Sequence, residues 1–157
     1  MIRVFTDGAV PNNQNKNIKK TGGIGVFFGD NDIRNISMPI TDGKVTNMVC
    51  ETMACIKALE KLLDEKDNIT IYTDSMYIVN SMTKWAKNWE KNNWKKSDGK
   101  VIENIDLIKR LYFLTTSLNV KYNHVKAHMM APPKESNEYF YYYGNHMADK
   151  LATQCIL

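Results

Sequence analysis

Four acidic residues stand in settings that ask for a chemical reason. Asp7 and Asp74 each close an apolar run, Ile2–Thr6 and Ile69–Thr73, and each precedes a small residue. In an α/β sheet, sites form outside the carboxyl ends of strands. Two neighbouring strands that end this way set two carboxylates side by side. Glu51 falls in the first turns of an apolar-periodic segment, flanked by Val49, Cys50, Met53 and Ala54. Asp149 lies in HMADKLA, inside a helical pattern, where aspartate is disfavoured. Four acids converging without basic partners repel one another, and divalent cations between them remove that repulsion. Magnesium takes oxygen ligands and keeps several waters. Two ions about 4 Å apart can activate water and stabilise a leaving oxygen in phosphodiester hydrolysis. Each acid alone also has an ordinary reading: a turn or cap for the strand-end aspartates, a favourable helix-start charge for Glu51, a solvated acid beside Lys150 for Asp149. Spacing by itself leaves both readings open.

The elements that must position these acids follow from periodicity. Residues 2–6 read as a strand, and GIGVFFG and RNISMPI as two more joined by the turn GDND. The three predict an antiparallel meander. From Thr46 to Glu65 the apolar residues Val49, Met53, Ile56, Leu59, Leu62 and Leu63 recur at helical steps, with Thr46 or Asn47 as cap. ITIYT is a fourth strand, Ser75 opens a second helix to about Lys84, and Glu103–Leu118 forms another. VKYNHV is a fifth strand, and Asn145–Leu157 a final helix. Strands reached through helical crossovers run parallel to a neighbour. The expectation is an α/β domain with a mixed five-stranded sheet, three strands antiparallel and then two parallel, flanked by helices.

Composition narrows the compartment and the partner. The 157 residues are 43% hydrophobic and 24% charged, an ordinary globular balance that suits one domain over 1–157. No apolar run approaches the roughly 20 residues of a membrane span, so no membrane partner is expected. Asp7 interrupts the first apolar stretch, unlike a secretory leader. The three cysteines match no metal spacing and read as reduced thiols in a cytoplasmic setting. The formal charge is +4, and all of that surplus sits in Lys84–Lys100, KWAKNWEKNNWKKSDGK. Lysines there attract phosphates without reading sequence. The interleaved Trp85, Trp89 and Trp94 can pack against sugars or stiffen the segment. A solvated helix with a small tryptophan core is the plainer alternative.

The motifs FTDGA, GGIGV, Thr46-Asn47 with Glu51 and ACIKALE, IYTDSMYIVNSMTKWAKNWEKNNWK, NIDLIKRL, HVKAH and GNHMADKLA occur in this order along nearly the whole chain. In that order and context they resemble the type 1 ribonuclease H family, in its handle-containing form. The resemblance implies the three-layer ribonuclease H-like fold. It also implies an endonuclease that cuts the RNA strand of RNA–DNA hybrids without base preference, leaving 5′-phosphate and 3′-hydroxyl ends. Residue by residue, Asp7, Glu51, Asp74 and Asp149 match the family's metal-binding carboxylates, for two Mg2+ ions with Mn2+ as substitute. His128 matches a mobile-loop histidine that assists proton transfer or product release, and Asn145 a helix-start residue that shapes the site. Lys84–Lys100 resembles the basic handle, with Trp85, Trp89, Lys95 and Lys96 as candidate substrate contacts and core as the alternative place for Trp85. Lys44, Thr46 and Asn88 would lie near a pocket for a DNA-strand phosphate, and Asn47 at the minor groove that displays 2′-hydroxyls. Lys44 falls where arginine is common, keeping charge but losing bidentate geometry. The hybrid is the expected partner and the chain a monomer, in the cytoplasm or, for a viral chain, the host's replication compartment. His124 reads as structural and His146 as helix surface.

Three departures from the family pattern stand out. Pro11–Lys20 lengthens the loop after Asp7. Met48 and Met76 replace frequent polar amides, which weakens 2′-hydroxyl recognition or shifts substrate preference. The stretch from His128 to Asn145 is long and contains Pro132, Pro133 and YFYYY, read either as a lid or partner patch or as an extra helical turn on the domain. A non-catalytic hybrid-binding module is the competing function, and four acids facing phosphates argue against it.

Overall fold

The computed structural model describes residues 1–11 and 21–156. The lengthened segment 12–20, singled out above, lies outside the described residues. Five strands form one sheet in the order β3-β2-β1-β4-β5: β1 (Ile2–Ala9), β2 (Gly22–Phe27), β3 (Ile36–Ile40), β4 (Ile69–Thr73) and β5 (Val120–His124). The first three pair antiparallel, and β4 and β5 join parallel. The expected mixed sheet is therefore observed.

Side chains alternate along each strand, and the alternation sorts the layers. Val4, Val26, Ile69 and Ile71 face the helices α1 (Asn47–Glu60) and α4 (Ile105–Ser117), in one core with Leu59, Ile108 and Leu111. Phe5, Phe27 and Tyr72 face the other way, onto α5 (Tyr139–Gln154). Helices on both faces hide the sheet's apolar residues from water.

Local chemistry sets most of the ends. Thr46 caps α1 by accepting from the Val49 N–H at 3.1 Å. Ser75 caps α2 (Met76–Asn80) in the same way, accepting from Ile78. The helical path then continues through a π-helical turn, Ser81–Trp85, into α3 (Ala86–Lys91), beyond the expected stop at Lys84. By contrast, α1 stops at Glu60, so Leu63 does not belong to its apolar face and is exposed.

The largest correction concerns the last helix, which starts at Tyr139 and not at Asn145. Gly144 reads as a breaker in sequence, yet it sits inside the helix. A Cβ on it would fall 2.2 Å from the Phe5 ring, so glycine is there to let the helix touch the sheet. The YFYYY run supplies the helix's first turns, with Phe140 edge-on to Phe5 at 5.3 Å and Tyr139 stacked on Tyr143 at 5.8 Å. The extra helical turn is observed.

Further along, Gly25 of β2 meets the same helix. A Cβ there would lie 2.0 Å from the Ala148 carbonyl oxygen and 2.7 Å from the Ala152 nitrogen. Backbone cannot yield as a side-chain tip can, so Gly25→Ala should lower stability by about 1–3 kcal/mol or more. A urea titration with an unchanged midpoint would contradict this close contact.

Candidate active site

Strand pairing places the two aspartates. On the β4 side, β1 is paired only as far as Thr6, opposite Thr73. The next residues in the two chains are Asp7 and Asp74, so the carboxylates emerge together where β4 turns into α2. On its other side β1 pairs on to Ala9, with Asp7 opposite Gly25. The first strand is longer than expected because β2 continues alongside it.

Glu51 arrives from α1, which rests directly on β1. A Cβ on Gly8 would lie 2.4 Å from the Glu51 nitrogen, so only glycine permits this approach. The Gly8 N–H donates to Glu51 Oε1 at 3.2 Å, while Glu51 Oε2 is buried with no partner among the described residues. Carboxylate oxygens of Asp7, Glu51 and Asp74 lie within 4.8 Å of one another. Asp149 comes from α5 and lines the same pocket as Asp7 and Asp74, together with His128 and Asn145. Asn145 is buried, with its Oδ1 unpaired, in the second turn of α5 and not at a helix start.

The electrostatics carry the cost of this arrangement. Among the described residues none of the four acids is in a salt bridge. Burial pushes the Asp7 carboxyl far above the usual carboxylate range, and neighbouring Glu51 and Asp74 push it further. Burial, then Asp74, raises Glu51 to about 7. Asp74 is also raised by burial, against which His128 acts to lower it. Buried acids that resist ionisation, with an orphaned carboxylate oxygen among them, fit a hard divalent cation that would supply the missing positive charge.

The other expected site residues fall into distinct places. His128 is exposed on the loop after β5, in a left-handed backbone conformation (φ 53°), and lines the acidic pocket. His124 Nε2 donates to the Asp74 carbonyl oxygen at 3.2 Å, holding β5 to the strand end. Lys44 lines a groove with Val49, Met53 and the 101–107 segment, whereas Asn88 lines another with Trp85, Trp89 and Lys95. Thr46 spends its hydroxyl on the helix cap, and Asn47 is exposed beside it. Trp85 is not core: it is 37% exposed and packs on Tyr77 and Trp89, while Trp89 leans on the main core. In the 84–100 segment, the Asn92 amide donates to the carbonyls of Lys95 and Lys96 at 3.1 Å each, shaping the turn that carries them. Met48 packs against the core, and Met76 is 46% exposed just after Asp74.

The sequence reading missed Tyr142 and His146, both of which line the acidic pocket. His146 is exposed, as expected, and its ring stacks on Tyr142 at 5.7 Å. The signal was present as the helical spacing 142, 146, 149. Starting the helix at Asn145 concealed it.

A mixed β3-β2-β1-β4-β5 sheet with helices on both faces, and acids gathered at the ends of its central strands, defines an α/β protein with an acidic cluster that could hold a metal ion. The RNase H family model matches residues 1–156, and the chain belongs to the ribonuclease H family. It is 38% identical over 149 residues to Ribonuclease H of Schizosaccharomyces pombe, covering 95% of this chain and 50% of that protein. It is also 38% identical over 156 residues to Ribonuclease H of Francisella philomiragia, covering 99% and 90%. The chain thus spans about half the length of some curated relatives it matches and nearly all of others. Among solved structures, a foamy viral protease-reverse transcriptase in complex with RNA/DNA hybrid shares the fold, with TM-score 0.72 and 22% identity over 98% of this chain and 20% of that one.

The raised carboxyls have a consequence for stability. An acid with a higher pKa folded than unfolded binds its proton better in the folded chain. Its stabilisation is therefore present at low pH and is lost as pH rises from the unfolded value near 4 through the folded one. For Glu51 that window runs from 4.5 to about 7, and for Asp7 it extends higher. In EDTA the melting temperature should fall between about pH 5 and about pH 8. Millimolar magnesium should raise it more at the higher pH. Melts that are flat with pH in EDTA would show that the acids are not held this way.

Proposed function

We propose that this chain is a metal-dependent endoribonuclease that hydrolyses the RNA strand of RNA–DNA hybrids. It leaves 5′-phosphate and 3′-hydroxyl ends and has little base preference. The observation that carries the reading is the convergence of Asp7, Glu51 and Asp74 with no salt bridge among the described residues, in a chain of the ribonuclease H family.

Asp7, Glu51, Asp74 and Asp149 would hold two Mg2+ ions, with Mn2+ as substitute. When bound, such ions activate the attacking water and stabilise the leaving 3′-oxygen. The protein's own part is positional. Glycine contacts at β1 and β2 fix the helices that carry Glu51 and Asp149. Asn145 shapes the wall beside Asp149. His128, exposed at the pocket's mouth, is placed to assist proton transfer or departure of the product.

Binding rests on a separate surface. Residues 1–157 form one domain with a basic handle at about 84–100, where Lys95 and Lys96 meet phosphates and Trp85 and Trp89 pack against sugars. Lys44, Thr46 and Asn88 border the DNA strand, and Asn47 the minor groove of the RNA strand, where a 2′-hydroxyl distinguishes RNA from DNA. A backbone reader of this kind needs no base contacts. No helix among the described residues is long and apolar enough to cross a membrane. The three free cysteines suit a reducing cytoplasm, or a host replication compartment for a viral chain, and the domain acts as a monomer.

Asp7→Asn and Asp74→Asn should each reduce cleavage of a labelled hybrid in magnesium to background while far-ultraviolet circular dichroism stays the same. Activity retained in either variant would remove these acids from the chemistry. Parallel digests of hybrid, double-stranded RNA, single-stranded RNA and DNA should show cleavage of the hybrid alone. Tight hybrid binding without cleavage in magnesium or manganese would instead make the chain a binding module.

Lys95→Ala should weaken hybrid binding for every sequence tested. It should also reduce the slope of log affinity against log salt by about 0.9, the share of one phosphate contact. An unchanged slope would take Lys95 off the backbone.

A further inference from the structure

A second pocket lies on the α5 face of the sheet, away from the acids. Arg3, Phe5 and Asp7 alternate onto this face, and Arg3 is four residues from Asp7, roughly 13 Å along the strand. Phe5 and Phe27 form the buried floor, Phe140 and Tyr143 of α5 form a wall, and Arg3 and Lys134 stand exposed at the rim. The space is about 570 Å³, within the roughly 300–1,000 Å³ of small-molecule sites. Much of it is built by the segment before Asn145 that the hydrolytic reading does not use.

Two observations say what such a pocket takes. The first is open aromatic surface: Phe140 is 38% exposed even though its ring packs edge-on to Phe5 and Tyr72. The second is unpaired positive charge. Neither Arg3 nor Lys134 forms a salt bridge among the described residues. The one acid in the lining, Asp30, accepts from the Tyr143 hydroxyl at 2.5 Å. The Arg3 guanidinium already lies 5.0 Å from the Phe140 ring centroid, so cation and ring surface are adjacent. A flat aromatic group with an attached anion satisfies both, through stacking and through charge-assisted hydrogen bonds.

We propose that this pocket binds a nucleoside 5′-phosphate, with its base against Phe140 and its phosphate paired with Arg3 and Lys134. A free mononucleotide and the 5′-phosphorylated end of an RNA strand carry the same chemistry. The inference does not rest on the hydrolytic reading, and its test keeps the two apart.

The experiment is calorimetric titration of the full chain in EDTA with AMP, adenosine, and tetra-adenylate with and without a 5′-phosphate. AMP should bind, and adenosine should bind at least about tenfold more weakly. Lys134→Gln and Phe140→Leu should each weaken AMP about tenfold, while Asp7→Asn leaves it unchanged. Lys134 is exposed, so its substitution tests the site without burdening the fold. Binding of AMP but not of the phosphorylated tetranucleotide assigns the pocket to free nucleotide. Binding of both, with the 5′-hydroxyl form excluded, assigns it to strand ends. The proposal is overturned if AMP does not bind, if adenosine binds equally well, or if AMP binding survives both pocket substitutions.

Discussion

Uncompensated negative charge is the constraint to which the rest of the structure answers. Asp7 and Glu51 are largely withdrawn from water and face each other and Asp74 with no salt bridge among the described residues. Left alone, such groups hold their protons or drive apart. The fold resists this with backbone. Three separate elements, β1, β4 and α1, bring the acids together at points where their main chains are already fixed by sheet pairing or by a glycine contact. Gly8 brings α1 onto β1, and Gly25 with Gly144 brings α5 onto the opposite face. Moving Glu51 away means unpacking α1 from β1, and moving the backbone of Asp7 means breaking its pairing with β2.

Charge of the opposite sign is concentrated in another segment. The lysine-rich stretch 84–100 begins at the end of the π-helical turn that follows α2 and runs on through α3, and its surplus equals the whole formal charge of the chain. Under the proposed function, a polyanion would be drawn to this stretch, and binding and chemistry would be divided between two surfaces of opposite sign. The tryptophans tie this segment to the domain: Trp89 and Trp94 lean on the core, and Trp85 packs over Tyr77 and Trp89.

The other face of the sheet shows what an aromatic run does when it joins a helix. Tyr139 to Tyr143 lengthen α5 toward its amino end, cover Phe5 and Tyr72, and add Tyr142 to the wall of the acidic pocket. One inserted stretch thus borders the acids on one side and an aromatic, cationic pocket on the other.

The sequence by itself determined the element types, the strand directions expected from a meander and helical crossovers, the cap residues Thr46 and Ser75, and the acids that stand out of place. These are local properties: alternation, helical spacing, a hydroxyl before an apolar run. The family resemblance added which acids belong together. Only the tertiary structure decided where the final helix begins, which tryptophan is exposed, and that Tyr142 and His146 share the pocket. Each of these depends on a contact between segments far apart in the chain. Gly144 looks like a helix stop until the Phe5 ring occupies the place of its missing side chain. Periodicity records which face a residue prefers, but a contact with a distant ring leaves no period to read.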